Sequence, residues 1–295
     1  KSRNCGLHSR IPRREGGNGA GHTEDTDGSL CAQTTAGSPA THMPLCLARH
    51  GAREDYEWKQ QGKNWQEGRD RGWDPPLTSE GVRQGECLGA GLKEHCERLG
   101  IPQVSRVLSS PLTRCVQTAA AAARQLGIAE ISIEYSLTEG MLEEWYRSWA
   151  VPGADSTWGG PPHARCGVPL APDAKLHANA TVPSGSLLNT SAEAEAALRS
   201  SGVDSVAVSH SYEPLREASS FEMCWGKFET EELLADRMEA ALKGVAARYS
   251  EETVLICSHG GPCAHGYRRL LGPRARTDLT AGYTALYIFV RSAED

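Results

Sequence analysis

Three segments far apart in the chain place histidine and arginine directly behind short apolar runs. The first, Leu47-Ala-Arg-His-Gly-Ala-Arg53, carries Arg49, His50 and Arg53. The second, Ser109-Ser-Pro-Leu-Thr-Arg114, carries Arg114, and the third, Ser258-His-Gly-Gly261, carries His259. Guanidinium forks match the oxygens of a phosphoryl group and keep their charge at any working pH. Three of them beside two imidazoles would repel one another unless an anion lay between them. The complement in charge and shape is a phosphate monoester dianion. A neutral imidazole held in line with the phosphorus is a nucleophile near neutral pH. Fixed arginines would then supply the positioning and charge stabilisation on which phosphoryl transfer depends. Each segment by itself has an ordinary explanation: a solvated turn for Arg49-His-Gly51, a helix-end arginine for Arg114, a capping residue for His259. The set, taken together at strand ends, points to chemistry.

Such a set can act only if the fold gathers it. The apolar run Pro44–Ala48 reads as a buried strand. A helix of about twenty residues should follow Asp74-Pro-Pro-Leu-Thr78, because Leu88, Leu92, Cys96 and Leu99 recur at helical steps and Gly100 can end it. Val104–Leu108 reads as a second strand. Ser110 with Pro111 resembles an N-cap and first helical position, ahead of the stripe Val116, Ala119, Ala120, Ala123 and Leu126. Ile131 and Ile133 should open a third strand running towards Leu137-Thr-Glu139. A helix over Thr230–Tyr249 turns Leu234, Met238, Ala241, Leu242 and Val245 inward. Strand Thr253–Cys257, a helix to Leu271 and a last strand Tyr283–Val290 complete the pattern. Strands alternating with helices predict an α/β fold, a three-layer α-β-α sandwich with a mostly parallel sheet. In such sheets ligands sit beyond the carboxyl ends of the strands.

Residues 1–42 hold almost no large apolar side chains and are expected to be a disordered tail. Residues 43–295 should form one domain, within which 146–205, rich in Pro and Gly, is expected to be a lid-like insertion. The chain begins at Lys1 rather than Met, so further sequence is expected upstream, and no charged-then-apolar signal segment is visible. The net charge of −6 argues against a nucleic-acid partner, since a phosphate backbone needs a basic face. Apolar runs such as Val254–Cys257 fall far short of the roughly 20 residues that span a bilayer, so no membrane partner is expected. Ten cysteines in 295 residues are too dilute for a disulfide scaffold, which suggests a reduced, cytoplasmic setting. Cys257-x-His259 and Cys263-x-His265 lack the spacing of a structural zinc site, so no metal is expected. Asn179 and Asn189 open glycosylation sequons that would matter only in a secreted protein. His210 could line a pocket or be structural, and Trp58, Trp65 and Trp73 could flank a site, although packing is the simpler role.

The three segments, in this order and approximate spacing, resemble the histidine phosphatase superfamily, the phosphoglycerate mutase-like proteins. Arg49-His-Gly51 resembles its signature, Ser109-Ser-Pro-Leu-Thr-Arg-Cys-Val-Gln-Thr118 its second block, and Cys257-Ser-His-Gly260 its third. Asp74-Pro-Pro-Leu-Thr-Ser-Glu-Gly81 with Arg114-Cys-Val-Gln-Thr118 is most similar to the branch of ubiquitin-associated, SH3-containing phosphatases. The resemblance runs from about Met43 to Val290 and is weak between 146 and 205. It implies a cofactor-independent phosphomonoester hydrolase in which His50 becomes phosphorylated. Arg49, Arg53 and Arg114 would hold the phosphoryl oxygens, with His259 on the same oxygens. It also implies an acidic proton donor after the third strand. Ile133-Glu-Tyr-Ser-Leu-Thr-Glu139 points to Glu139, with Glu143 and Glu144 as alternatives. The partner would be a phosphorylated substrate, a phosphotyrosine protein or a small aryl or alkyl phosphate. No ubiquitin-associated or SH3 domain lies in these residues. A phosphoglycerate mutase-type transferase and a non-catalytic phosphate-binding scaffold are the other readings.

Overall fold

Side chains along β1 (Leu45–Arg49) alternate between the two faces of a sheet. Leu45 and Leu47 join one apolar cluster, Cys46 and Ala48 another, and all four are buried. Burial on both faces is what a central strand of a parallel sheet requires. In the computed structural model the described residues are 44–63, 65, 71–142, 188–203, 205–221, 229–276 and 281–290. The expected tail 1–42, most of the expected insertion, and Asn179, Glu143 and Glu144 lie outside them.

The remaining strands are β2 (Val104–Ser109), β3 (Glu130–Ile133), β4 (Ala207–Val208), β5 (Thr253–Ser258) and β6 (Leu286–Phe289). They form one six-stranded sheet in the order β4-β3-β2-β5-β1-β6, parallel throughout except for the antiparallel edge strand β6. The described α-helices are α1 (Glu54–Gln60), α2 (Ser79–Leu99), α3 (Thr113–Leu126), α4 (Ser191–Ser200), α5 (Glu231–Arg248) and α6 (Gly260–Leu271). α2, α3 and α4 cover one face through Leu88, Leu92, Val116, Ala119 and Leu198. α5 and α6 cover the other through Leu234, Met238, Leu242 and Cys263. The result is the α/β three-layer sandwich read from the sequence. Among the described residues no helix is long and apolar enough to cross a membrane.

α2 begins where Thr78 Oγ1 accepts from Gly81 N and ends where Gly100 enters the left-handed region at φ 64°. Its glycines bring it against the alanines of α3: a Cβ on Gly89 would stand 2.4 Å from the Ala122 carbonyl oxygen. The same intimacy ties the first turn to α2, since a Cβ on Gly81 would meet Ala52 O at 2.2 Å.

Four local expectations need correction. α3 starts at Thr113, not at Ser110, because Ser110 N continues the sheet by donating to Cys257 O (2.9 Å). Its first turn is capped from outside by Asp74, whose carboxylate accepts from Thr113 N and Oγ1, both at 2.7 Å. β3 stops at Ile133 rather than running on, because the buried Glu134 carboxylate takes Ser136 N (2.9 Å), Tyr212 Oη (2.7 Å) and Leu215 N (2.7 Å) and turns the chain into a 3-10 turn at Tyr135–Leu137. Within the stretch expected to be irregular, Ser191–Ser200 forms α4, started by a Thr190/Glu193 capping box and anchored by Ala194 and Leu198. The closing strand is shorter than expected, Leu286–Phe289. The short α1 has no counterpart in the sequence reading.

Candidate active site

The register of the central strands determines where the three segments meet. β5 lies between β1 and β2, pairing Arg49 with Ser258 and Ser109 with Cys257. The chain therefore leaves all three strands at one edge, with His50 N donating to Ser258 O at 2.9 Å. His50, Arg49, Ser110 and His259 follow from that alignment, and Arg53 and Arg114 lie within the next few residues.

His50 and His259 are both buried, with ring centroids 5.3 Å apart and planes inclined by 65°. His50 Nδ1 lies 2.8 Å from the Gly51 carbonyl oxygen, which can only accept. The proton is therefore on Nδ1, and Nε2 keeps its lone pair. Burial, then the charges of Arg114, Arg49 and Arg53, hold the His50 pKa well below its usual value, so the ring stays neutral. His259 is lowered in the same way, by burial first and then by Arg114 and His50. Its Nε2 meets Ser110 Oγ at 2.7 Å and its Nδ1 stands 3.6 Å from Glu139 Oε2. The Cys115 thiol packs 3.3 Å from His259 Nε2 and donates to Ser258 O, and burial keeps it far from ionising.

The three arginines are held differently. Arg53 is buried and pairs with Asp55 through Nε (2.9 Å) and Nη2. Arg49 donates from Nη1 to Ala281 O and lies 4.6 Å beneath the ring of Tyr283, while its Nε has no acceptor among the described residues. Arg114 is wholly buried, yet none of its guanidinium nitrogens finds a hydrogen-bond acceptor among the described residues. Its nearest carboxylates, Asp74 Oδ1 at 3.7 Å and Glu139 Oε2 at 3.9 Å, are too far to bond. A buried cation without hydrogen bonds is costly, and a fold retains one where a ligand completes it.

Glu139 is buried beside this cation. Burial raises its carboxyl pKa, although Arg114 and the Gly140 N–H act in the other direction. A carboxyl whose protonated form is favoured by burial, next to two neutral imidazoles and three guanidiniums, can deliver a proton to an oxygen leaving phosphorus. The edge can thus bind a tetrahedral dianion, offer it a neutral ring nitrogen and protonate what departs.

All six residues singled out from the sequence, Arg49, His50, Arg53, Arg114, Glu139 and His259, meet here. Others do not. His210 is exposed and faces Glu195 on α4 at 3.3 Å, and His265 faces Glu231 on α5 at 2.5 Å, away from His259. Trp65 and Trp73 are buried, and Trp58 packs edge-on against Trp65 at 5.5 Å. Asn189 is buried with its amide nitrogen on Asp74 Oδ2 (2.9 Å) and Pro111 O (2.8 Å), a structural role that leaves no room for a glycan. Sequence reasoning missed Asp74 as the residue that caps α3 and faces Arg114. Its place before two prolines was a visible signal. It also missed Arg237, a charged residue among the inward positions of α5.

Comparison with known proteins agrees with this architecture. The sequence profile described as histidine phosphatase superfamily (branch 1) matches residues 45–151 and 202–294, more than half of the chain. The ecdysone phosphate phosphatase of Bombix mori, solved in complex with tungstate, is 20% identical, with 83% of this chain and 88% of that chain covered and a TM-score of 0.50. A mycobacterial glucosyl-3-phosphoglycerate phosphatase is 18% identical, with 83% and 90% covered and a TM-score of 0.46. A phosphoserine phosphatase from Entamoeba histolytica is 16% identical, with 85% and 92% covered and a TM-score of 0.42. Among curated proteins no sequence match is found. The chain belongs to the histidine phosphatase superfamily, branch 1, and is an enzyme of phosphate-ester hydrolysis.

Proposed function

We propose that the protein hydrolyses phosphate monoesters by two displacements at His50. In the first, Nε2 of His50 bonds to phosphorus, the bond from phosphorus to the ester oxygen breaks, and the Glu139 carboxyl gives its proton to that oxygen. In the second, water attacks the phosphorus, the Glu139 carboxylate takes its proton, and the bond between phosphorus and nitrogen breaks to release phosphate. Arg49, Arg53 and Arg114 bind the phosphoryl oxygens, and His259 stabilises the charge they gain in the transition state.

The observation that carries this reading is Arg114, buried without a hydrogen-bond acceptor among the described residues, beside two imidazoles whose pKa values are driven down. Aryl phosphates, including phosphotyrosine, are the proposed substrate class. Two features support it: the sequence similarity to the ubiquitin-associated, SH3-containing branch, and the rings of Tyr56 and Tyr283, which lie 4.6 Å from the guanidinium carbons of Arg53 and Arg49. Tyr283 is also 6.0 Å from the His50 ring, near where a leaving aryl group would stack.

Rapid acid-free quenching of the enzyme with a labelled aryl phosphate tests the mechanism. The expected result is a base-stable, acid-labile phosphoryl adduct that is absent from His50→Ala. Turnover of His50→Ala at the wild-type rate would remove His50 as nucleophile. Product analysis with a phosphoglycerate as substrate should show free phosphate and no isomerised ester.

A further inference from the structure

Glu139 is held by a rack of backbone hydrogen bonds that the proposed chemistry does not itself require. The four consecutive carbonyls leading into it and including its own all have side-chain donors. Arg237 Nη1, from α5, donates to Ser136 O (2.7 Å) and Thr138 O (3.0 Å), and Arg237 Nη2 donates to Glu139 O (3.3 Å). The remaining one, Leu137 O, accepts from Ser258 Oγ at 2.7 Å, one residue before His259. Arg237 is buried and is aimed by Glu229, which accepts from Nε at 2.6 Å and Nη2 at 2.8 Å. Glu229 also grips the far side of the same loop, accepting from Met141 N through Oε2 (3.2 Å) and donating its own N–H to Met141 O (2.9 Å).

A buried ion pair is by itself weak evidence of a gain in stability, because apolar residues of similar volume often serve as well or better. The five N–H groups of a planar guanidinium can serve three carbonyls and the Glu229 carboxylate at once, whereas an ammonium has only three donors. We propose that Arg237, aimed by Glu229, is a positioning residue that fixes the Ser136–Glu139 backbone so that the Glu139 carboxyl stays beside His259 and Arg114. The role rests on Glu139 being the proton donor. Loosening the rack moves the acid away from the leaving oxygen without touching the phosphate cradle.

The test is leaving-group dependence in the full-length protein. Protonation matters most for alkyl phosphates and least for p-nitrophenyl phosphate, whose phenolate leaves unaided. Glu139→Gln should lower kcat/KM for an alkyl phosphate by about 100-fold and for p-nitrophenyl phosphate by less than about tenfold. Arg237→Met should follow the same pattern in milder form, about tenfold on the alkyl ester and about twofold on the aryl ester. In the double variant, Arg237→Met should add nothing further to Glu139→Gln on the alkyl ester, because both act through one proton. Arg237→Lys and Glu229→Gln, which keep more of the packing, repeat the measurement should Arg237→Met fail to fold. Equal losses on both esters, or losses that add in the double variant, would reduce Arg237 to a structural residue and overturn the proposal. If Glu139→Gln shows the leaving-group dependence and the Arg237 and Glu229 variants do not, only the positioning role fails. If Glu139→Gln itself lacks that dependence, the proton-donor reading fails and the positioning role with it.

Discussion

His50 and His259 come from opposite ends of the domain and face each other with ring centroids 5.3 Å apart, both neutral because burial and the arginines disfavour their charged forms. A histidine whose folded pKa lies below its ordinary 6.5 is protonated more readily in the unfolded chain. Between the folded value and 6.5 the unfolded state binds more protons, so stability rises with pH there. The contribution is complete above 6.5 and is lost as pH falls through the folded values. Each group changes stability by at most about 1.4 kcal/mol per pH unit. Thermal unfolding followed from about pH 7.5 to about 5 should therefore show a falling Tm, with a shallower fall in His50→Gln. Equal slopes in the two proteins would contradict the neutral His50 described here.

Arg114→Met should trade function for stability. The substitution removes a buried cation that has no hydrogen-bond acceptor among the described residues and replaces it with an apolar chain of similar length. Asp74 keeps its bonds from Thr113 and Asn189, and Glu139 is already biased towards its neutral form. We expect a gain of about 1–3 kcal/mol without added anion. Wild type should also be stabilised by orthovanadate, by about 2.7 kcal/mol at a hundredfold excess over Kd, and the variant should not be. Paired melting curves with and without vanadate read both effects.

Gly81→Ala should damage the site from a distance. The added methyl would lie 2.2 Å from Ala52 O, against backbone that cannot yield without moving the turn between His50 and Arg53. A loss of about 1–3 kcal/mol in urea unfolding is expected, with a fall in kcat/KM larger than the stability loss alone explains. A variant with wild-type kcat/KM would show that the turn tolerates the shift.

Asp74→Ala should weaken α3 at its first turn. It removes the acceptor of Thr113 N and Oγ1 and of Asn189 Nδ2, and it takes away the carboxylate nearest Arg114. Loss of a cap of this kind costs about 1 kcal/mol. Because Arg114 lies in that turn, KM for an aryl phosphate should rise more than kcat falls. Steady-state kinetics beside a denaturant titration separate the two.

Much of this molecule is legible along the chain because its information is local. The alternation of Leu45 to Ala48, the helical spacing of Leu88 to Leu99 and the stop at Gly100 each involve neighbours within a few residues, and those elements stand where the pattern predicts them. The histidines and arginines of the candidate site are legible for a related reason: their side chains are too polar to be buried by composition alone, so their positions behind apolar runs are conspicuous. Even the convergence of the three segments follows once the strands are taken as parallel.

The start of α3, the end of β3 and the helix α4 were not legible, and long-range partners explain each. Asp74 caps Thr113 across 39 residues, the Glu134 carboxylate gathers Tyr212 and Leu215 from the far side of the domain, and Ala194 and Leu198 declare themselves as core only when packed on the rest of that cluster. The same holds for Arg237, which in the sequence is one charged residue in an otherwise ordinary helix. The chain by itself determined which residues could handle phosphate and which elements would carry them, since periodicity and side-chain chemistry are properties of short stretches. Only the tertiary structure decided that Arg114 would be buried without a hydrogen-bond acceptor among the described residues and that Glu139 would be racked by Arg237, because burial and hydrogen-bond partners exist only between segments the fold has brought together.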